Sequence, residues 1–397
     1  MSAFAEETEL LTSPEAADLL QTALTGDPEV VLPGFTARLD DLHYRPGSEV
    51  TAIYTVSFDT PDGQTTEHLL ATTAAVSGEV ATLTRQDITL RVWRHPADPR
   101  LPGLAPACDP ATVLGWLGDA EPRLREAAAL HLELLAYRPL RRAVLRASAD
   151  GEHFYLKVMR PGYDDRLAAR QNLLAAVDLT VPLLARPVPG VLISPSVPGR
   201  SLAHRLVEWQ RGRAPLPQPG ELLALLDRLP AGALDLPRRS SWSENVEFHA
   251  ATARQQLPAE TARIDALAAR VAAVAGQGRH GPVVPTHGDF YEANVFVEDD
   301  TLRFIDVDSV GPGLREDDLA CCLAHLAVLP SLDPNAYPRV PEVLDAWQHA
   351  FEQRVDPVDL RARIAGVLLS LVAGAEPDQA LRRLEIAEHY AVSMHER

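Results

Sequence analysis

The pattern of apolar and polar positions divides the chain into a β-rich beginning and a helical remainder, broken once by a second β-rich island. Val50 to Phe58 reads as a strand, Pro61-Asp62-Gly63 as a turn, and Leu69 to Val76 and Ile88 to Trp93 as further strands. A helix is expected ahead of them at Ser13. Its side chain can cap exposed backbone N–H groups, and Pro14 stands where no donor is missed. A proline-rich connection runs from Arg94-His95-Pro96 to Asp109-Pro110, which opens a helix through Thr112 to Leu117. The first domain boundary is expected near residue 125.

A second β-rich stretch runs from Leu132 to Met159 and echoes the first. Tyr137-Arg138-Pro139 repeats Tyr44-Arg45-Pro46, and Glu152-His153 repeats Glu67-His68 ahead of an apolar strand. A duplicated lobe and two unrelated sheets both account for matches this short. From Asp164 to Val177 the pattern turns helical, with Leu167, Leu173, Leu174 and Val177 on one face. A short strand follows at Val191 to Ser194, then a turn at Pro198-Gly199 and a proline-rich loop from Arg211 to Gly220. Helices dominate from there, except for the island from Pro282 to Val310.

Composition narrows the classes. A length of 397 residues suggests two or three structural units, and 46% hydrophobic with 23% charged residues allows ordinary packed cores. The formal net charge of -18 argues against nucleic acid or anionic membrane as the main partner. It is compatible with a cationic substrate and equally with simple solubility. Cys108, Cys321 and Cys322 form no CxxC pair, so neither a disulfide framework nor a zinc site is suggested. Met1 to Leu11 is acidic and lacks the pattern of a signal peptide. Ile364 to Ala375, the longest apolar run, is too short to span a bilayer and reads as a buried helix. A cytoplasmic location is expected.

The island carries the chemistry. It reads Thr286-His287-Gly288-Asp289-Phe290-Tyr291-Glu292-Ala293-Asn294, and two short apolar strands follow, Val295 to Val297 and Leu302 to Ile305. Paired as a hairpin, they bring Asn294, before the first strand, close to Asp306, after the second. Asp289 lies on the loop just upstream. Oxygen donors converging on one end of a hairpin suit magnesium. Phosphoryl transfer needs little more: a metal and a cation at the phosphates, and a carboxylate to orient the attacking hydroxyl. Singly, each of these residues is as well explained by capping a turn. Their combination is not.

His287-Gly288-Asp289 with Asn294, followed by Ile305-Asp306-Val307-Asp308 and Asp317-Asp318-Leu319-Ala320, resembles the catalytic and metal-binding loops of the aminoglycoside phosphotransferase and choline kinase superfamily. The order of elements extends the likeness from about residue 130 to the end of the chain. The resemblance implies an α+β, protein-kinase-like two-lobed fold. It implies an N-lobe with the nucleotide-binding sheet at 126–199 and a mainly helical C-lobe at 200–397. A cap at 1–125 is similar in size and place to that of maltokinase-like members. It also implies that Asp289 is the catalytic aspartate, and that Asn294, Asp306 and, with less support, Asp308 are magnesium ligands. His287 is expected to hold the loop, and Asp317 or Asp318 to brace it from a helix start. Upstream, the strand Phe154 to Met159 offers Lys157 to the phosphates of ATP. It has Tyr155 and Met159 on the same face and Phe154, Leu156 and Val158 on the other. Backbone groups around Ser194 and Ser196, with Pro195 removing one donor, take the place of the adenine-binding hinge.

Three departures qualify the likeness. No glutamate stands on the helix after Lys157, where Arg170, Gln171 and Asn172 occur instead. There is no glycine-rich phosphate loop; Tyr137-Arg138-Pro139-Leu140-Arg141-Arg142 fills that stretch, and its arginines are candidates to serve in its place. If the cap is a degenerate copy of the N-lobe, Thr72 occupies the position of Lys157. A stabilising cap and a substrate-facing cover are both open. The expected activity is ATP- and magnesium-dependent transfer of the γ-phosphate to a hydroxyl of an aminoglycoside, sugar or related small metabolite. A nucleotide-binding pseudokinase or scaffold is the alternative. The missing glutamate favours it, and the intact Asp289, Asn294 and Asp306 oppose it. Acceptor carboxylates are sought among Asp378, Glu385 and Glu388 on the C-terminal helices. No Gly-x-Ser-x-Gly elbow or HExxH helix points to a hydrolase.

Overall fold

A computed structural model describes residues 3–44, 49–85, 87–126 and 129–392. Arg45 and Pro46 of the first Tyr-Arg-Pro echo, like Met1 and Ser2, lie outside the described residues. The chain divides into two compact units. One runs to Ala168 and takes in Leu183–Ser196; the other takes Ala169–Pro182 and everything from Val197.

The first unit is built on two antiparallel sheets. Helices α1 (Ala3–Thr12) and α2 (Glu15–Thr25) precede strands β1 (Thr36–Tyr44), β2 (Val50–Thr60), β3 (Gly63–Thr72), β4 (Ala81–Arg85) and β5 (Ile88–Arg94). The strands pair in the order β1-β2-β3-β5-β4. Because successive strand residues face opposite sides, Val50, Ala52, Tyr54 and Val56 reach one core, with Leu11 and Leu20 of the helices. The cap expected at Ser13 is not made. The Ser13 hydroxyl donates back to the Leu10 carbonyl at 3.1 Å, because α1, not anticipated from the sequence, ends there and offers a nearer acceptor.

Helices α3 (Leu104–Ala107) and α4 (Pro110–Ala120) lead to β6 (His131–Arg138), β7 (Arg142–Ala149), β8 (Glu152–Met159) and β9 (Val191–Pro195), paired in chain order. Asp109 caps α4 as expected, accepting from Thr112 N–H at 2.9 Å. Leu104, Val113, Leu117 and Leu124 pack with Leu145, Phe154 and Leu156, so helices before residue 125 share a core with the sheet after it. A smaller cluster joins Leu70 and Trp93 of the first sheet, and Ala74 just after β3, to Leu140 in the β6–β7 turn.

The two sheets correspond rung for rung at the ends of their first strands, although the bulge each carries, at Leu39/Asp41 in β1 and at Leu134/Ala136 in β6, falls further from that end in β1. Each first strand meets its partner near a tyrosine, Tyr44 opposite Val50 and Tyr137 opposite Ala143. One rung further in, His43, Thr51 and Thr72 line up in the first sheet, and Ala136, Val144 and Lys157 in the second. Thr72 therefore falls on the rung that corresponds to Lys157, and it is fully buried, its hydroxyl 2.7 Å from that of Thr51.

Helix α5 (Tyr163–Ala175) carries the chain from the first unit to the second. Leu167 and Leu174 are buried, but Val177 lies past the helix end and is exposed, so it does not belong to the expected face. The second unit opens with β10 (Arg200–Ser201), α6 (Leu202–Gln210), α7 (Pro219–Asp227), α8 (Val246–Gln256) and α9 (Thr261–Ala275). Strands β11 (Val283–Thr286), β12 (Val295–Glu298), β13 (Thr301–Phe304) and β14 (Gly311–Leu314) form the island. Helices α10 (Arg315–Leu332), α11 (Val340–Glu352), α12 (Pro357–Ser370) and α13 (Pro377–Val392) complete it. β12 and β13 pair as the expected hairpin, with β10 on the other side of β12, and β11 pairs with β14. α12 is buried along nearly its whole length, as its apolar run requires. Among the described residues, no helix is long and apolar enough to cross a membrane. The fold class is α+β.

Candidate active site

β11 delivers the chain to His287-Gly288-Asp289. Gly288 has φ +77°, and a Cβ there would lie 2.7 Å from the Ser309 carbonyl oxygen, so this close approach requires glycine. His287 is fully buried and its Nε2 lies 3.1 Å from the Ile305 carbonyl. A carbonyl only accepts, so Nε2 carries the proton. Burial pushes the imidazole down to about 4, which leaves it neutral near pH 7 and suited to holding the loop. Its ring packs on Phe304 at 4.7 Å, and Phe304 packs edge-on against Phe290 at 6.1 Å. The loop is thus anchored in the core on both sides of Asp289.

Helix α10 meets the loop from beneath. Asp318 is fully buried and accepts the backbone N–H groups of His287 and Gly288 at 2.9 and 2.8 Å. Of the two aspartates considered for the brace, Asp318 makes these bonds. Asp317 turns to Arg363 Nη1 at 2.6 Å, and Arg363 Nε pairs with Asp359 at 2.6 Å. One helical turn beyond Asp318, Cys321 Sγ lies 4.0 Å from Asp289 Oδ1, and His325 stacks on Tyr291 at 4.1 Å. One face of α10, at spacings of three and four residues, touches the loop from His287 to Tyr291.

The hairpin brings the expected oxygen donors together. Asn294 Nδ2 donates to the Asp289 carbonyl at 2.9 Å and lies 3.4 Å from its Oδ2. Ile305 N–H donates to the Asn294 carbonyl at 3.0 Å, which places Asn294 beside Asp306. Asp306 has φ +54°, in the left-handed region that Asp tolerates better than most residues. Asp308 follows in the tight turn Val307–Ser309. An amide and two carboxylates are an all-oxygen set, which fits magnesium and not zinc. Among the described residues no three His, Cys, Asp or Glu side chains form a complete metal cage. A magnesium ion that keeps waters and shares phosphate oxygens needs none.

Several residues at the site gave no local signal. Arg170 stands in the helix stretch that lacks the glutamate. It is buried, and its Nε donates to the Val310 carbonyl at 2.8 Å, just beyond the Asp306–Asp308 turn. Arg239 Nη1 bonds the Ser309 hydroxyl of the same turn. Glu292 is buried, with no partner on Oε2, and burial pushes its carboxyl up to about 7.

In the first unit, Lys157 sits on β8 between Val144 of β7 and Leu192 of β9. Phe154, Leu156 and Val158 are buried on the opposite face, as alternation requires. Ser194 pairs with Tyr155, and Ser196 N–H donates to the His153 carbonyl at 3.0 Å, so that amide already has its acceptor in the sheet. The helical carboxylates behave as solvated or paired groups. Asp378 and Glu385 are exposed, and Glu388 grips Arg263 at 2.6 and 2.9 Å.

Comparison with known proteins gives the family. The family model described as the phosphotransferase enzyme family matches residues 140–366, more than half of the chain. No curated protein matches. Among solved structures, choline kinase from Cryptosporidium parvum Iowa II aligns with a TM-score of 0.47 at 12% identity, over 72% of this chain and 96% of its own. A thermostable mutant of aminoglycoside phosphotransferase APH(4)-Ia gives 0.48 at 14% identity, over 69% and 99%. A glucosamine kinase gives 0.39 at 16% identity, over 98% of both chains. The matched span holds Lys157, the His287–Asn294 loop, the Asp306–Asp308 turn and the Asp318 brace, and by that match the chain belongs to the phosphotransferase enzyme family.

Proposed function

We propose that this phosphotransferase is a small-molecule kinase that uses ATP and magnesium to phosphorylate a hydroxyl of an aminoglycoside, sugar or related metabolite. The observation that carries the reading is the bonded chain from Asp289 through Asn294 to Ile305 and Asp306. It sets a carboxylate beside an all-oxygen donor pair. Asp289 orients the acceptor hydroxyl and takes its proton. Asn294, Asp306 and Asp308 would hold magnesium, which supplies charge neutralisation at the phosphates. Lys157 reaches the phosphates from β8, and the β9 edge around Ser194 receives the purine. His287 takes no part in proton transfer, because it is fully buried and its Nε2–H is held by the Ile305 carbonyl.

The sheet β1–β5 is, in this reading, a degenerate copy of β6–β9. The matching rungs support it, and Thr72 at the lysine rung leaves the copy without a phosphate contact. One observation favours a scaffold instead of an enzyme: Arg170 occupies the place of the glutamate and binds the Val310 carbonyl.

A thermal shift with ATP, with and without magnesium, tests the reading. Native-state binding raises stability by about 2.7 kcal/mol at a hundred times the dissociation constant. The shift should need magnesium and vanish in Asp306→Ala. Acceptors are then screened by ADP release, where Asp289→Asn should lower turnover by about three orders of magnitude or more. Binding without turnover on any acceptor class would favour the scaffold. No shift with any nucleotide would overturn the reading.

A further inference from the structure

The β6–β7 turn stands where a phosphate loop is wanted, yet it contains no glycine. Leu140, at its tip, is held at φ +63°, a conformation that crowds the Cβ of an L-residue. The neighbouring structure holds it there. Asp98, in the segment after β5, is 3% exposed. Its Oδ2 accepts Leu140 N–H at 2.7 Å and the Tyr137 hydroxyl at 2.8 Å, and its Oδ1 accepts Arg100 N–H at 2.8 Å. The Leu140 carbonyl accepts Arg160 Nε at 2.7 Å, so both backbone groups at the tip have side-chain partners. The Leu140 side chain is buried in one cluster with Leu70 and Trp93 of the first sheet and Ala74 just after β3. Arg141 N–H closes the turn onto the Arg138 carbonyl at 3.0 Å.

We propose that the N-terminal region braces the phosphate-binding turn, with Asp98 as the positioning residue that fixes how Arg141 and Arg142 are presented to the nucleotide. A glycine-rich loop binds phosphates through free backbone N–H groups. Here the N–H groups of Leu140 and Arg141 are already bonded, so guanidinium groups must do the recognition; Arg141 lies in the turn, and Arg138 and Arg142 end the strands on either side of it. Long arginine side chains gain from a fixed backbone, because less freedom is lost on binding. The first sheet lacks a lysine at its own rung. Its other face is filled by Leu140 instead, so the region serves the second sheet. The inference rests on the kinase reading above.

The test is the dissociation constant of Mg-ATP, measured by calorimetry on the full chain, for wild type, Asp98→Ala, Arg141→Ala and the double variant. Asp98→Ala should weaken binding about tenfold, as expected for a lost hydrogen bond to a charged group. The double variant should be no weaker than Arg141→Ala alone by more than about twofold, because Asp98 acts through the turn. Should Asp98→Ala fail to fold, Tyr137→Phe removes one donor to Asp98 and is expected to weaken Mg-ATP binding about threefold. Wild-type affinity in Asp98→Ala or Tyr137→Phe, or losses that simply add in the double variant, would overturn the brace and leave the kinase reading standing. Wild-type protein that binds no Mg-ATP would take down both.

Discussion

Substituting Asn for Asp318 asks which of two opposing forces governs the brace under the His287–Asp289 loop. The carboxyl is fully buried, which disfavours its charge, and it accepts two backbone N–H groups, which favour it. Burial prevails and pushes it up to about 7, from an ordinary 3.8. That interval, at about 1.36 kcal/mol per pH unit, makes ionised Asp318 cost the native state about 4 kcal/mol. The sign follows from a folded value above the unfolded one. The contribution of this group is fully present below about pH 4 and is lost as pH rises through 7. Asn does not titrate, and it replaces one acceptor oxygen with a donor facing an N–H, a fixed cost of about 1–3 kcal/mol. Asp318→Asn should therefore be most destabilising near pH 4–5 and progressively less so towards pH 8. Urea unfolding of both proteins across that range, compared as differences, isolates the group from every other titration. A difference that stays flat, or grows with pH, would refute the reasoning and show that the two N–H donors keep Asp318 ionised in the native state.

Two further substitutions follow from buried charge. Glu292 is pushed up from 4.5 to about 7 with no partner on Oε2, so Glu292→Gln should stabilise the protein at pH 8 by up to about 3 kcal/mol and change little at pH 4. A lower melting temperature at pH 8 would mean that the carboxylate holds structure. Arg363→Met strands Asp317 and Asp359, both within 2.6 Å of the guanidinium, and should cost about 3–5 kcal/mol in chemical denaturation. A loss under about 1 kcal/mol would show that the two carboxyls do without their cation.

What the sequence disclosed was decided by how far apart the interacting residues lie. Asp289, Asn294 and Asp306 are linked by one short hairpin, so turn residues and strand length alone bring Asn294 and Asp306 together, and the Ile305–Asn294 bond is its direct consequence. Asp109 and Pro110 likewise act within one helical turn. Ser13 shows the limit of the same logic. Its capping signal was sound locally, but a helix the sequence did not announce put the Leu10 carbonyl within reach first. Arg170 with Val310 and Asp98 with Leu140 join residues 140 and 42 positions apart, and no spacing rule connects them.

These long-range bonds bear on the gap left by the missing glutamate. In the expected arrangement, a helix carboxylate holds the phosphate-reaching lysine. Here α5 presents Arg170 to the carbonyl that follows the Asp306–Asp308 turn, and Asp98 holds the turn on the lysine sheet. Under the proposed function, the place of the glutamate is taken by a buried, bonded arginine. Thr72, on the rung that corresponds to Lys157, is buried and bonded, as a structural position should be, while Lys157 stands on the half-exposed face of β8.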